Sequence, residues 1–235
     1  MRYGFLTDVH GDLEVLTRAL ESLTGTPRRP PQGGALEGCD LNFFLGDVAG
    51  SGREVEACIR RMRERGVLAV PGNHDLWDFE LVGLSAESRD YLKGLPLQRD
   101  EADFTAVHSI YEVSGETMRF PYIHSEADAR RAFAQFPQRL VFFGHTHLSQ
   151  VHQLTAAGEV RFLRINQSSQ IHLDPTSRYL VNVGAAPDCA VVYDFERQEL
   201  DYVLFSRPTA PGARMGHGAW TLWRRWCNWW ARHRP

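Results

Sequence analysis

The sequence predicts a mixed α/β chain, with a parallel α/β unit in its first third and short antiparallel strands in its second half. Three observations carry that prediction. Over residues 1–75, short apolar runs alternate with stretches whose apolar residues recur at helical spacing. After residue 147, short apolar runs follow one another with turn residues between them. The early runs also end on the same kinds of residue, namely Asp, His or Asn.

Taken in order, Tyr3 to Thr7 reads as a strand, punctuated by Gly11-Asp12. Leu13, Leu16, Leu20 and Leu23 then fall on one helical face, with Asp12 as the N-cap. Residues 25–38, rich in Pro, Gly and Arg, read as a surface loop. Leu41 to Leu45 is a second strand. Arg53 to Arg65 is a second helix, with Val55, Ile59 and Met62 inward, and Val67 to Val70 is a third strand. Residues 76–103 are mixed in pattern and the sequence places them poorly. Phe104 to Val107 and Leu140 to Phe143 are strands, with a helix over Ala127 to Phe136 between them. Then come Val151 to Leu154, Val160 to Ile165, Tyr179 to Val183, Ala190 to Phe195 and Leu200 to Phe205, with the texture of an antiparallel meander. No fixed-period repeat is visible.

At 235 residues the chain has room for one domain with appendages. Its apolar (43%) and charged (23%) fractions are ordinary globular values, and a net charge of -3 argues against a general nucleic-acid binder. Four widely spaced cysteines, with no CxxC pair, argue against a zinc ribbon or a disulfide scaffold and for a reducing compartment. With no signal-peptide pattern and no apolar run of spanning length, the expected location is cytoplasmic.

The chemistry sits where the strands end. Asp8 and His10 follow the first strand, Asp47 the second, Asn73 and His74 the third, and His108, His145 and His147 the later two. Open α/β sheets collect ligand sites at strand carboxyl ends. Asp8 with His10, and His145 with His147, are i and i+2 pairs whose side chains share a side if the backbone stays extended. Asp47 offers a carboxylate able to bridge two cations. Such mixed N and O donors suit Mn, Fe or Zn better than a Ca or Mg cage. Taken singly, each residue has an ordinary alternative as a cap, a turn residue or a packed imidazole. Five such elements in order do not.

Asp8-Val-His10, Gly46-Asp47, Gly72-Asn73-His74-Asp75, His108 and Gly144-His145-Thr146-His147 together resemble the signature of the calcineurin-like metallophosphoesterases. The runs around Asp47 and Asn73 resemble its small prokaryotic phosphodiesterase branch. They lack the Gly-Asp-x-x-Asp-Arg-Gly pattern of the Ser/Thr-phosphatase branch. The resemblance implies a four-layer fold, a central β-sandwich flanked by helices, over residues 1–206. It implies two divalent ions (Mn first, with Fe, Zn, Ni or Co as alternatives), one held by Asp8, His10, Asp47 and His147, the other by Asp47, Asn73, His108 and His145. It makes His74 the catalytic acid at the leaving group and a water activated between the ions the nucleophile. Asp75 or Asp12 is a candidate to orient a neighbouring histidine.

The implied function is hydrolysis of a small or nucleotide-like phosphodiester. A phosphomonoesterase or protein phosphatase is the alternative on the same site. A non-catalytic scaffold of the same fold would be expected to have lost ligands, and here all are present. The chain departs from its relatives at Ser109, where glycine commonly follows the histidine. It departs again over Asn182-Val-Gly-Ala-Ala-Pro-Asp188, which is short, lacks a serine and carries an acid where a base is usual. Residues 207–235 read as a Pro/Gly-rich linker and a tail with Trp220, Trp223, Trp226 and Trp230 on one helical face among arginines. The favoured reading is a helix covering an apolar face of its own domain or of a second copy. The other is a basic amphipathic helix on a membrane or protein surface. The partner expected at the site is a small phosphoester, with no stable nucleic-acid complex.

Overall fold

Alternation of large apolar side chains along the strands decides the architecture. In the computed structural model, residues 1–24, 38–77, 79–115 and 117–205 are described. The predicted linker and Trp-rich tail, and all but the last residue of the predicted loop at 25–38, lie outside them. The chain opens β1 (Arg2–Leu6), α1 (Leu13–Leu23), β2 (Leu41–Phe44), α2 (Val55–Glu64) and β3 (Leu68–Ala69). The three strands lie side by side and parallel, Leu6 opposite Phe44 and Phe43 opposite Leu68. Next come α3 (Asn73–Leu76), α4 (Ala86–Lys93), β4 (Gln98–Asp100), β5 (Phe104–Val107), the hairpin β6 (Glu112–Ser114) and β7 (Thr117–Arg119), α5 (Glu126–Gln135) and β8 (Leu140–Phe143). The last third holds β9 (Gln150–Leu154), β10 (Val160–Arg164), β11 (Ser169–His172), β12 (Arg178–Asn182), β13 (Cys189–Asp194) and β14 (Glu199–Leu204).

These strands make two six-stranded sheets, β11-β14-β13-β1-β2-β3 and β10-β9-β12-β8-β5-β4. Period-two alternation gives each sheet two apolar faces. Tyr3, Phe5 and Phe43 from the first sheet meet Phe104, Leu140, Phe142, Tyr179 and Val181 from the second in a shared core. There the Phe5 and Phe142 rings stack 3.8 Å apart. Leu6 and Phe44 point the other way, to the buried faces of α1 and α2. Val141, Phe143 and Leu180 pack against Ala129, Ala132 and Phe133 of α5. The result is helix, sheet, sheet, helix, the four layers that the resemblance implied.

The strands after residue 147 are not one meander. β9, β10 and β12 join the second sheet, whereas β11, β13 and β14 join the first. All but β10 carry apolar residues for the same shared core, so local pattern could not say which sheet each enters. Asp12 caps α1 as expected, its Oδ1 accepting from the Val15 N–H at 2.9 Å. Among the described residues, no helix is long and apolar enough to cross a membrane.

Candidate metal centre

The loops that leave β1, β2, β3, β5 and β8 converge at one end of the sandwich, and main-chain hydrogen bonds continue past the strands to lock them together. The N–H groups of Asp8 and His10 donate to the carbonyls of Gly46 and Asp47, each at 3.0 Å, and Gly144 N–H donates to His108 O at 3.0 Å. Two glycines permit the close approach. A Cβ on Gly72 would strike the Asp47 carboxylate, and one on Gly144 would strike the Thr7 hydroxyl and the Asp8 carboxylate. Among the described residues, six non-glycine residues have positive φ, and five of them are Asp8, His10, Asp47, His145 and His147. The i and i+2 pairs are therefore not extended. Left-handed turns, not strand alternation, aim both members inward. Such strain persists where the surroundings over-determine it, typically at functional sites.

The side chains form two donor groups. Asp8, His10 and His147 make one; Asp47, His108 and His145 make the other. Asp47 also groups with His10 and His74, so it stands between the two. His147 Nε2 lies 3.1 Å from Asp8 Oδ1 and 3.2 Å from His10 Nε2. His108 Nε2 lies 3.1 Å from His145 Nδ1, 3.2 Å from Asn73 Oδ1 and 3.5 Å from Asp47 Oδ2. Donors held about 2.1 Å from one ion, at 90–109° to each other, stand roughly 3.0–3.4 Å apart. Asp8 Oδ1 is buried and faces the His147 ring, while its Oδ2 takes the Thr7 hydroxyl and the His145 N–H. The His10 and His108 Nδ1 atoms face the Ala49 and Leu45 carbonyls at 3.1 and 2.7 Å. A carbonyl only accepts, so each Nδ1 carries the proton and each Nε2 turns a lone pair to the centre.

Electrostatics point the same way. Burial, then the Asp8 and Asp75 carboxylates, push Asp47 well above the usual carboxylate range. Burial alone would raise Asp8, but the His147, His108 and His10 imidazoles around it hold it low. Burial pushes His10 down to about 4 and depresses His108 and His145. Buried acids that repel one another beside imidazoles kept neutral make a cavity suited to divalent cations.

A sequence model of the calcineurin-like phosphoesterases matches residues 1–149. The chain belongs to the calcineurin-like phosphoesterase family. An uncharacterised protein of Methanocaldococcus jannaschii, MJ0912, is 23% identical over 209 residues, covering 77% of this chain and 74% of that one. A metallophosphoesterase of Sphaerobacter thermophilus superposes with a TM-score of 0.68 at 24% identity, over 88% of this chain and 89% of that one. TT1561 of Thermus thermophilus does so at 0.50 and 13% identity, over 86% and 98%. The family is one of phosphoester hydrolases that use divalent metal ions, and membership implies hydrolase activity.

Within this phosphoesterase, the residues around the donors differ in part from expectation. Neither Asp75 nor Asp12 orients a histidine. The buried Asp75 carboxylate accepts the N–H groups of Asp47 (2.7 Å), Ala49 (2.7 Å) and Gly72 (2.9 Å), fixing the backbone of two ligand loops. Burial raises its pKa to about 6. The acid facing a histidine is Glu80, whose Oε1 is 3.3 Å from His74 Nδ1. Glu80 lies in the stretch the sequence placed poorly, with no pattern to announce it. His74 is held at the backbone as well, its N–H donating to Asp47 Oδ1 at 3.0 Å.

Asn182, the start of the departing loop, is fully buried, and its Nδ2 donates to Thr146 Oγ1 at 2.6 Å. It therefore braces the turn between His145 and His147. Ser109 is accommodated too, its hydroxyl donating to Pro121 O at 2.8 Å. That bond ties His108 to the loop bearing Tyr122, whose ring stacks on His145 at 4.3 Å and on His124 at 5.1 Å. Sequence reasoning left His124 and Tyr122 unassigned, because neither belongs to a motif.

Proposed function

We propose that the chain is a dinuclear-metal phosphodiesterase acting on a small or nucleotide-like diester. The observation that carries this reading is the pair of donor groups with Asp47 of one reaching His10 of the other, and His74 beside them, partly exposed. Asp8, His10, Asp47 and His147 would hold one ion, and Asp47, Asn73, His108 and His145 the other. When bound, the ions would lower the pKa of a water to near neutrality and offset the charge on the phosphoryl oxygens. The family resemblance puts Mn first, with Fe, Zn, Ni or Co as alternatives, and the mixed imidazole, carboxylate and amide donors are compatible with each.

His74 is the group that protonates the departing oxygen. Glu80 faces Nδ1, which donates to it and fixes the ring. It is therefore the imidazolium form of His74 that carries a transferable proton on Nε2 and returns to the neutral ring once that proton passes to the departing oxygen. Asp75 acts through Asp47 by fixing the backbone on which it stands. The diester preference is supported by the loop after β12, which carries Asp188 and no arginine. A diester brings a single negative charge, whereas a monoester dianion calls for more fixed positive charge.

The test crosses Mn, Ni, Co, Zn, Fe and Mg with bis(p-nitrophenyl) phosphate, p-nitrophenyl phosphate and cyclic nucleotides. Mn-type activation with the diester preferred is the expected result. Faster turnover of the monoester would replace this reading with a phosphatase, and inactivity with every metal would remove the catalytic reading altogether.

A further inference from the structure

We infer that Trp77 and Phe79 form a stacking platform for a nucleobase carried by the phosphoester held at the metal centre. The inference rests on the phosphodiesterase reading and narrows its substrate class to nucleotide esters. Trp77 follows α3, the short helix that carries Asn73 and His74. Its ring lies 5.0 Å from the His74 ring, edge to face, and His74 in turn lies 5.0 Å from His10 of the first donor group. Phe79 stacks on Trp77 at 5.5 Å with an interplanar angle of 18°. Yet Trp77 is 41% exposed and Phe79 69%, with Val82 beyond them at 80%. Two large, nearly parallel rings are thus left open to water beside His74, the proposed acid.

Exposed apolar surface gathered beside polar groups marks a binding place. The chemistry here selects the occupant. A flat base gains most from parallel aromatic rings, and stacking of this kind tolerates any base. The phosphate is committed to the donor groups, so the base must be carried on an arm that passes His74. A sugar spans the gap that one imidazole fills. Two other aromatic rings among the described residues stand beside the donors and are already engaged: Tyr122 stacks on His145 and His124, and Phe120 meets His108 edge to face at 5.6 Å. Phe162 and Leu163, also exposed, belong to the edge strand β10, where Phe162 packs on His152.

The test is calorimetric titration of the full chain, loaded with Mn, with adenosine 5′-monophosphate and with ribose 5-phosphate. The two probes share the phosphate and the sugar and differ in the base. Stacking predicts that the nucleotide binds about five- to a hundredfold tighter. Trp77→Ala should bring the ratio of the two affinities close to one, Phe79→Ala should lower it partway and Trp77→Phe should keep most of it. Val82→Ala, an exposed apolar change three residues on from Phe79, should leave the ratio as in the parent. Equal binding of both probes by the parent, or a ratio that survives Trp77→Ala, overturns the inference. That result would leave the rings as a contact for a second copy or another protein. Diesterase activity without a base preference would defeat the platform and keep the phosphodiesterase reading. A base preference lost in Trp77→Ala, in a protein that hydrolyses only monoesters, would do the reverse.

Discussion

Strands β5 and β8 lie side by side and parallel, and each carries an ionisable residue at both ends. At their amino ends stand Asp103 and Arg139, whose two groups meet in a bidentate pair at 3.2 and 2.9 Å. The Tyr193 hydroxyl also donates to Asp103, so the acid is closed by protein groups alone. Burial would raise its pKa, but the Arg139 and Tyr193 hydrogen bonds hold it below the usual range. At their carboxyl ends stand His108 and His145, facing Asp47, which burial and its acidic neighbours push up. One pole is neutralised from within and the other is left short of positive charge. The same strands thus carry a finished ion pair at one end and an arrangement completed by added cations at the other. A pole that the protein can neutralise by itself serves stability; one that it leaves in deficit serves a ligand.

Removing the shared carboxylate should break the contrast most severely. Asp47→Ala is expected to lose both tightly held ions together and to fall to background hydrolysis, read by metal analysis of the purified protein and by ester turnover. A variant that still holds two tight ions would show that Asp47 is not shared. Next in size is His74→Ala. It should keep its metals and lose about 10²- to 10⁴-fold in turnover of esters with poor leaving groups. A fall in metal content that parallels the loss of activity would make His74 a ligand and not the acid.

The opposite pole should respond to pH and ignore chelators. Asp103→Asn is expected to cost about 1.5–3 kcal/mol of unfolding free energy, the range for hydrogen bonds to a charged group. The folded pKa of Asp103 is depressed, so its contribution is complete above the unfolded value of about 3.9 and fades as pH falls through the lower folded value. Denaturant melts at pH 7 and at pH 3 should therefore differ, the variant lying closer to the parent in acid. EDTA should lower the parent's thermal midpoint without changing the Asp103→Asn increment. An increment that vanished with EDTA would mean that the two poles are coupled.

How much of this was legible in the sequence follows from where information is local. The eight candidate positions could be named because each sits within four residues of the end of an apolar run, and a strand end is a local event. The geometry that aims them could not. Five residues in left-handed conformation, none of them glycine, run against intrinsic preference and are held there by bonds to other loops, such as Asp75 to Asp47 and Asn182 to Thr146. Those partners are 28 and 36 residues away in sequence. Glu80, Trp77 and Tyr122 escaped for the same reason, since they matter only through the ring or carboxylate that the fold brings beside a histidine. Sheet membership of β9 to β14 was equally hidden. Both sheets ask their strands for the same alternation, and the shared core accepts either.

Asp12 offers the smallest and cleanest check on this division between local and distant information. It stands two residues from His10, close enough in sequence to be a candidate for orienting that ring. The structure instead bonds it to the Val15 N–H, at the start of α1. If capping is its whole role, Asp12→Ala should cost about 1 kcal/mol of stability. Metal affinity and turnover should stay at parental levels, because His10 is fixed through Nδ1 by the Ala49 carbonyl. A melt and a metal titration on the same preparation decide the matter. Weakened metal binding out of proportion to the stability change would assign Asp12 to the centre, and the reach of the deficit pole would then extend into the first turn of α1.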